Sequence, residues 1–179
     1  MTPPHDYIGV VTLDTAKFTR ADYERLPEGF PAQLIDGRLV RNPSPTIRHQ
    51  RIVGELFINL LEVAGEGRVC FAPLDVFIDD LNVLQPDILV FAESPANETR
   101  EVPIPVLVAE VLSPETARWD KGFKARTYLA AGVREVWLVD PIRKEIEIRA
   151  KGQSVKSRDT IEAVSLAVPG FRVIPADLL

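Results

Sequence analysis

One stretch limits the fold more than any other. VLVAEVLSP, residues 106 to 114, is an almost unbroken apolar run with a glutamate at its centre. Such a run is typical of a central β-strand that is covered on both faces. An ionised carboxylate is too costly to bury alone, so Glu110 must be paired, protonated or bound to a metal ion. The nearest downstream cations are Arg118, Lys121 and Lys124. Either one of them is a structural partner, or Glu110 is a ligand.

The chain length predicts a single domain that spans residues 1 to 179, with a loose segment at residues 1 to 18. The net charge of −5 gives no support for nucleic-acid binding, although it is compatible with a local basic cleft. The single cysteine, Cys70, excludes a disulfide framework and a zinc–cysteine cluster. Because the chain lacks an N-terminal signal and an apolar run of about 18 residues, we expect a cytoplasmic protein without a membrane segment.

The order of signals predicts a mixed β-sheet flanked by helices, in an α/β or α+β fold. Thr19 is a candidate cap for a short helix, and Asp36-Gly37 is a tight-turn signal between two strands. A long amphipathic helix is predicted from Thr46 to about Gly65. The remaining strands are predicted at RVCFAP, then DVFID and DILVF with the DDLN turn between them, then 106–112, VREVWLVDP and KEIEIRA, and more weakly at IEAVSL and FRVI.

Residues 106 to 139 form a strand–helix–strand crossover, whose two strands should be parallel. Its helix is predicted to open at Pro114, with Ser113 as the cap, and to end at about Ala131 before Gly132.

A second acid lies on a similar apolar strand. In LQPDILVFA, Asp87 follows Pro86 and shares one strand face with Leu89 and Phe91. If its strand is the neighbour of the strand that carries Glu110, the two carboxylates can meet at one end of the sheet.

The predicted crossover helix carries a third element. Asp120, Lys124 and Tyr128 recur every four residues, so they lie along one helix face. One interpretation is a solvated surface ladder in which Asp120 pairs with Lys124. The other is that Lys124 is directed at Asp87 and Glu110.

Two carboxylates and a lysine at one sheet edge suit phosphodiester hydrolysis. Mg²⁺ is usually held by one or two carboxylates together with water and substrate phosphate oxygens, and Mn²⁺ can replace it. The metal lowers the pKa of a bound water, and an ammonium group steadies the developing negative charge. The carbonyl of Val111 is a candidate for one more ligand oxygen. Phosphate contacts are expected from Arg118, Lys121 and Arg126.

These residues and their spacing resemble the Uma2 family, restriction endonucleases of the PD-(D/E)XK nuclease superfamily. The resemblance covers about residues 22 to 149. It rests on QLIDGRLV, His49-Gln50, Pro86-Asp87, EVLSP at 110–114, Asp120, Lys124, Tyr128, Gly132-Val133, Glu135, Trp137 and Asp140-Pro141.

The resemblance implies a restriction-endonuclease-like core with the active site at one end of a mixed sheet. Asp87 and Glu110 would be metal ligands. The lysine of the superfamily should lie two positions after the second acid, where this chain has Leu112. The resemblance implies that this role has moved to Lys124 on the following helix.

Two accessory positions follow from the same resemblance. The family usually has a glutamate where this chain has Gln33, and the loss of charge should weaken metal binding if that position takes part in it. His49 lies near the start of the long helix, where it either faces the cleft or is a partly exposed helical residue.

Three hypotheses remain open from the sequence. The first is a metal-dependent DNA endonuclease, for which a homodimer would be natural because each protomer makes one cut. The second is a catalytically inactive nuclease-fold protein that binds nucleic acid or protein, which Gln33 and the net charge favour. The third is a purely structural ion pair between Glu110 and Lys124.

Overall fold

The computed structural model describes residues 17 to 179. Residues 1 to 16 of the predicted loose segment lie outside the described residues. The fold is mixed α+β, as predicted, with two larger sheets and a two-stranded ribbon. The helices are α1 Arg20–Tyr23, α2 Ile47–Ala64, α3 Ala117–Trp119, α4 Ala125–Ala131 and α5 Pro175–Leu178, with a π turn at Asp120–Lys124. The strands are β1 Ala32–Ile35, β2 Arg38–Arg41, β3 Val69–Phe71, β4 Val76–Asp79, β5 Asn82–Leu84, β6 Ile88–Val90, β7 Leu107–Val111, β8 Glu135–Asp140, β9 Glu145–Ala150, β10 Gln153–Arg158, β11 Ala163–Val164 and β12 Arg172–Val173.

The central sheet has six strands in the order β10-β9-β8-β7-β6-β3. β7 and β8 are parallel, with Glu110 opposite Leu138, which confirms the predicted crossover. The other neighbours in this sheet are antiparallel. Within residues 17 to 179, no helix combines the length and the apolar character needed to cross a membrane.

Both faces of the central strands are buried, which explains their apolar sequences. On one face, Leu56 and Leu60 of α2 pack in a cluster with Trp137 of β8. On the other face, Tyr128 of α4 packs in a cluster with Val108 of β7. The polar side chains of β7 are therefore forced into a dry environment.

Local chemistry accounts for several boundaries that the sequence predicts. Thr19 caps α1 in a reciprocal arrangement with Asp22, and the hydroxyl of Thr46 accepts a hydrogen bond from the amide of His49 at the start of α2. Asp36 and Gly37 have φ angles of 50° and 72°, which is the backbone that a two-residue hairpin turn requires.

Beside the predicted mixed sheet, the chain builds a second sheet in the order β2-β1-β5-β4, which was not predicted. The DDLN turn joins β4 to β5, a strand of three residues that was not predicted. DILVF does not continue this hairpin, since β6 belongs to the central sheet. Three residues are too few to show a clear alternation of polar and apolar side chains.

The edge strand β10 was also not predicted. It is a mostly exposed, polar strand that pairs along its whole length with β9. Lys156 and Arg158 form ion pairs with Glu145 of β9. Charged side chains of this kind are common on sheet edges, because they discourage pairing with another chain.

The crossover helix begins later than predicted. Residues 114 to 116 form a turn, and α3 begins only at Ala117. The Ser113 hydroxyl nevertheless accepts a hydrogen bond from the Thr116 amide at 3.2 Å, which is the contact expected of the predicted cap. α3 is followed directly by the π turn and then by α4. The predicted end is confirmed, since Gly132 adopts a φ of 105°.

A second buried glutamate fastens the C-terminal region to the central sheet. Glu135 of β8 is 3% exposed. Its carboxylate accepts hydrogen bonds from Trp137 Nε1 at 3.1 Å and from the Ser165 hydroxyl at 2.7 Å. It also accepts from the amides of Leu166 at 2.6 Å and Ala167 at 3.1 Å. All four partners are donors, so this position needs two acceptor oxygens.

We therefore expect Glu135→Gln to lower the free energy of unfolding by about 2 to 3 kcal/mol, because an amide NH₂ would face donors in a buried site. Urea denaturation followed by Trp fluorescence measures this change. Glu115→Gln is the matched control at an exposed position and should change stability by less than about 0.5 kcal/mol. Equal stability of the two variants would contradict an anchoring role for Glu135.

Candidate active site

The two predicted acids lie opposite one another on neighbouring strands. β6 and β7 are antiparallel, with Ile88 opposite Ala109. One residue further along the same register, Asp87 lies opposite Glu110, and directly opposite side chains project from the same sheet face. Oδ2 of Asp87 also accepts a hydrogen bond from the Val111 amide at 2.7 Å, which fixes the carboxylate at the sheet end.

Glu110 is held by the crossover helix that follows its strand. The carboxylate is 3% exposed. Lys124 Nζ lies 2.7 Å from its Oε1, and the Tyr128 hydroxyl donates to the same oxygen at 2.9 Å. Asp120 Oδ1 lies 3.1 Å from the same Lys124 Nζ. The question raised by the buried glutamate thus has a structural answer, because Lys124 and Tyr128 are its partners.

The interpretation of Asp120 and Lys124 as a solvated surface ladder was wrong. Each residue is only 3% exposed, and Tyr128 is completely buried. The helix packs back over β7, so its Asp120, Lys124 and Tyr128 face is directed at the sheet rather than at water. This burial brings the whole face into contact with Glu110.

Three carboxyl groups, those of Asp87, Glu110 and Asp120, influence the single ammonium group of Lys124. Burial raises the pKa of Glu110 to about 8, against the opposing effect of Lys124, and the charges of Asp120 and Asp87 add to the rise. Burial alone would lower the pKa of Lys124, but Glu110 and Asp120 raise it above its ordinary value. The lysine therefore stays charged at neutral pH, whereas the neighbouring Glu110 carboxyl group keeps its proton up to about pH 8.

His49 lies on the other side of Asp87. Its Nε2 is 3.2 Å from Asp87 Oδ2, and its side chain is 16% exposed. The hydrogen bond to Asp87 raises the pKa of His49 against the effect of burial, and the Val111 carbonyl raises it further. Nδ1 of His49 is buried and has no hydrogen-bond partner among the described residues. Of the two interpretations of His49, the structure favours the one that faces the cleft.

Gln33 takes part in a separate polar network. Its Nε2 donates to Asn42 Oδ1 at 2.7 Å, and its Oε1 accepts from the Gln85 amide at 2.8 Å. Asn42 donates in turn to Gln85 Oε1 at 2.6 Å, and Gln85 Nε2 donates to Asp75 Oδ1 at 2.7 Å. The accessory role of Gln33 in metal binding stays a prediction, but both of its polar atoms are occupied.

The three candidate phosphate contacts differ in their surroundings. Arg118 and Arg126 are exposed on the crossover helix. Lys121 is partly buried, and its Nζ donates to Asp140 Oδ2 at 2.7 Å. Two of the three guanidinium or ammonium groups are thus accessible to a ligand, whereas the third is already paired.

The donor set fits one hard divalent cation. Within residues 17 to 179, no group of three or more His, Cys, Asp or Glu side chains is arranged to hold a metal ion. Mg²⁺, however, usually takes one or two carboxylates, with water and substrate oxygens completing its shell. The hydrogen bonds and ion pairs of the described residues engage Oδ2 of Asp87 and Oε1 of Glu110, so each acid retains one oxygen.

A model of the Uma2 family, described as "Putative restriction endonuclease", matches residues 20–177. The chain belongs to this family. The match confirms the resemblance and extends it beyond residue 149, so the C-terminal strands are part of the family's fold. A search of curated proteins finds no match.

A solved structure shares the fold. It is the crystal structure of "a putative nuclease belonging to DUF820" from Anabaena variabilis ATCC 29413. The similarity covers 90% of this chain and 97% of that chain, with a TM-score of 0.78 and 22% sequence identity. The similarity shows that the two chains share a fold.

Two features of the site were missed from the sequence. The Asp87–His49 contact joins β6 to α2, and no spacing rule connects residues so far apart. The burial of Asp120 was also missed, although its four-residue spacing to Lys124 and Tyr128 was the available signal. Sequence spacing predicted a shared helix face, but not that this face is buried.

In metal-free buffer, we expect stability to fall as the pH rises from about 5 to 8. The carboxyl group of Glu110 has an ordinary pKa of 4.5 and a folded pKa of about 8, so the folded state retains a proton that the unfolded state releases. Urea denaturation at several pH values in EDTA measures the slope. Glu110→Gln should flatten it, whereas Glu62→Gln, exposed on α2, should leave it unchanged. An identical slope in all three proteins would show that Glu110 does not titrate in this range.

We expect Gln33→Glu to destabilise the protein by about 1 to 3 kcal/mol, because the partly buried Asn42 oxygen would be left without its donor. A carboxylate at this position cannot donate to Asn42. If the Asn42 and Gln85 amides both turned over to compensate, an oxygen of Gln85 would face the Asp75 carboxylate. Thermal denaturation measures the loss, and Gln50→Glu is the same change at an exposed position of α2. Unchanged stability of Gln33→Glu would show that this network tolerates a charge.

Proposed function

We propose that the protein is a Mg²⁺- or Mn²⁺-dependent endonuclease that hydrolyses phosphodiester bonds in DNA. The observation that carries the proposal is the buried Lys124 ammonium group, which lies 2.7 Å from Glu110. Glu110 belongs to β7, and Asp87 directly precedes the neighbouring strand β6. A surface ion pair would not need this degree of burial. Membership of the Uma2 family supports the same chemistry.

Asp87, Glu110 and the Val111 carbonyl are the residues that would hold the metal ion. The oxygens of these groups are hard ligands, which suit Mg²⁺ and Mn²⁺. When bound, the metal would lower the pKa of a water molecule and neutralise charge at the phosphate.

Lys124 supplies the fixed positive charge of the proposed site. Its ammonium group orients the attacking water or stabilises the negative charge that develops on the phosphate oxygens. Because the group is buried, its electrostatic effect is stronger than that of a solvated lysine. Asp120 is the second acidic partner of Lys124, and the Tyr128 hydroxyl orients Glu110.

DNA binding is proposed to rest on local positive charge, since the chain as a whole carries −5. Arg118 and Arg126 are exposed on the helix that delivers Lys124, so they are the proposed phosphate contacts. Lys121 can contact a phosphate only if the DNA displaces the Asp140 carboxylate from its ammonium group. A homodimer is also proposed, because two sites are needed to cut both strands.

Incubation of supercoiled plasmid with Mg²⁺, Mn²⁺ or EDTA tests the proposal. We expect metal-dependent nicking, which Asp87→Asn and Lys124→Met should reduce by at least about 100-fold, a loss typical of removing a transition-state contact. Lys144→Met removes an exposed lysine in the β8–β9 turn and should retain activity. Circular dichroism checks that each variant is folded.

The alternative is an inactive nuclease-fold protein that binds nucleic acid or protein. It is favoured by the closed ion pair between Glu110 and Lys124, which engages an oxygen that a metal would otherwise use. Native protein that cuts neither plasmid, single-stranded DNA nor RNA with either metal would support this alternative. Nicking that persists in both Asp87→Asn and Lys124→Met would overturn the proposed site.

Light scattering with and without DNA tests the homodimer.

A further inference from the structure

The helix that delivers Lys124 contains a π turn at its centre. In an α-helix, the amide of Ala125 would donate to the carbonyl of Lys121, four residues earlier. Here it donates to the carbonyl of Asp120, five residues earlier. The Lys121 carbonyl therefore loses the donor that an α-helix would provide. A buried carbonyl without a donor is costly, so a π turn needs a replacement.

Arg149 of β9 provides that replacement. Its Nη1 donates to the Lys121 carbonyl, and its Nε donates to Glu147 Oε1 at 2.5 Å. Arg149 lies opposite Val136 in the sheet, and Val136 packs with Tyr128, so the guanidinium lies on the sheet face that the helix covers. Glu147 orients the guanidinium, and the planar group can serve both partners at once.

A second contact holds Lys121, the residue whose carbonyl binds Arg149. The ammonium of Lys121 donates to Asp140 Oδ2 at 2.7 Å, at the end of β8. Lys121 is thus bound through its carbonyl to β9 and through its side chain to β8. It lies between Asp120 and Lys124, the first and last residues of the π turn.

The π turn matters for where Lys124 points. A π turn contains one residue more than an α turn, so it changes the angle between the side chains before and after it. In this chain the result is that both ends of the turn are buried, with Lys124 Nζ 3.1 Å from Asp120 and 2.7 Å from Glu110. If the turn relaxed to α-helical geometry, this alignment would change.

We infer that Arg149 is a positioning residue that holds the π turn and thereby places Lys124 against Glu110. The catalytic meaning of this placement rests on the proposed function, whereas the placement itself does not. Arg149 touches neither Glu110 nor Lys124 in the contacts of the described chain, so it acts through the Lys121 carbonyl.

Hydrogen exchange measured by mass spectrometry tests the placement without any nuclease assay. In Arg149→Met, we expect peptides that cover residues 117 to 126 to exchange at least about tenfold faster, because local opening is favoured there. Peptides from β7 and β10 should stay within about twofold of the native protein. Arg158→Met is the matched control, since it removes an arginine–glutamate contact on β10 that does not reach the π turn.

A uniform acceleration in all peptides, or the same pattern in Arg149→Met and Arg158→Met, would overturn the inference. Either result would show that Arg149 only contributes to general stability. Arg149→Lys keeps a donor for the carbonyl but lacks the planar guanidinium that reaches both the Lys121 carbonyl and Glu147, so it should restore part of the local protection.

The nuclease assay separates this inference from the proposed function. If native protein nicks plasmid, the single-turnover rate at saturating metal should fall at least about tenfold in Arg149→Met and remain near native in Arg158→Met, as expected for a misplaced catalytic group. An unchanged rate with accelerated local exchange would overturn the link to catalysis. If native protein nicks nothing, the proposed function fails, and the exchange pattern still decides whether Arg149 holds the turn.

Discussion

The structure depends on the burial of Glu110 with Lys124. Helices cover both faces of the sheet at β7, so the carboxyl group cannot reach water and must find a partner within the fold. The cation comes from the helix that follows β7, and the strand–helix–strand crossover therefore has to close tightly. A buried pair of this kind is not in itself a strong source of stability, because desolvation offsets much of the attraction. Its value lies in fixing one arrangement of strand and helix.

The same principle recurs along the helix-facing side of the central sheet. Acidic side chains of the strands meet cations from the crossover helix, from the same strand or from the neighbouring strand. The pairs are Glu110 with Lys124, Asp140 with Lys121, Glu147 with Arg149, and Glu145 with Lys156 and Arg158. Glu135, on the opposite face, is satisfied by neutral donors instead. The side chains that surround the candidate site thus also decide how the helix is held. Site and scaffold share one network of charges, so a change in either is expected to affect the other.

Much of the fold was predictable because its signals are local. Asp36-Gly37, Thr46 and Gly132 mark boundaries through backbone chemistry that needs no tertiary contact. The misses were of two kinds. β5 is too short and β10 too polar for hydrophobic periodicity to mark them, and the π turn has no sequence signal known to us. Glu135 was available as a signal, because it interrupts an apolar strand in the same way as Glu110.

The sequence by itself determined the candidate residues of the site. An acid in each of two apolar strands and a lysine one helix later follow from residue type and spacing, and they also placed the chain in its family. Only the tertiary structure decided their surroundings. The helix face with Asp120 and Lys124 packs against the sheet, and His49 of α2 lies next to Asp87. Gln33 is hydrogen-bonded within the amide network of the second sheet. Burial and long-range hydrogen bonds depend on which surfaces pack together, and spacing along the chain does not specify that.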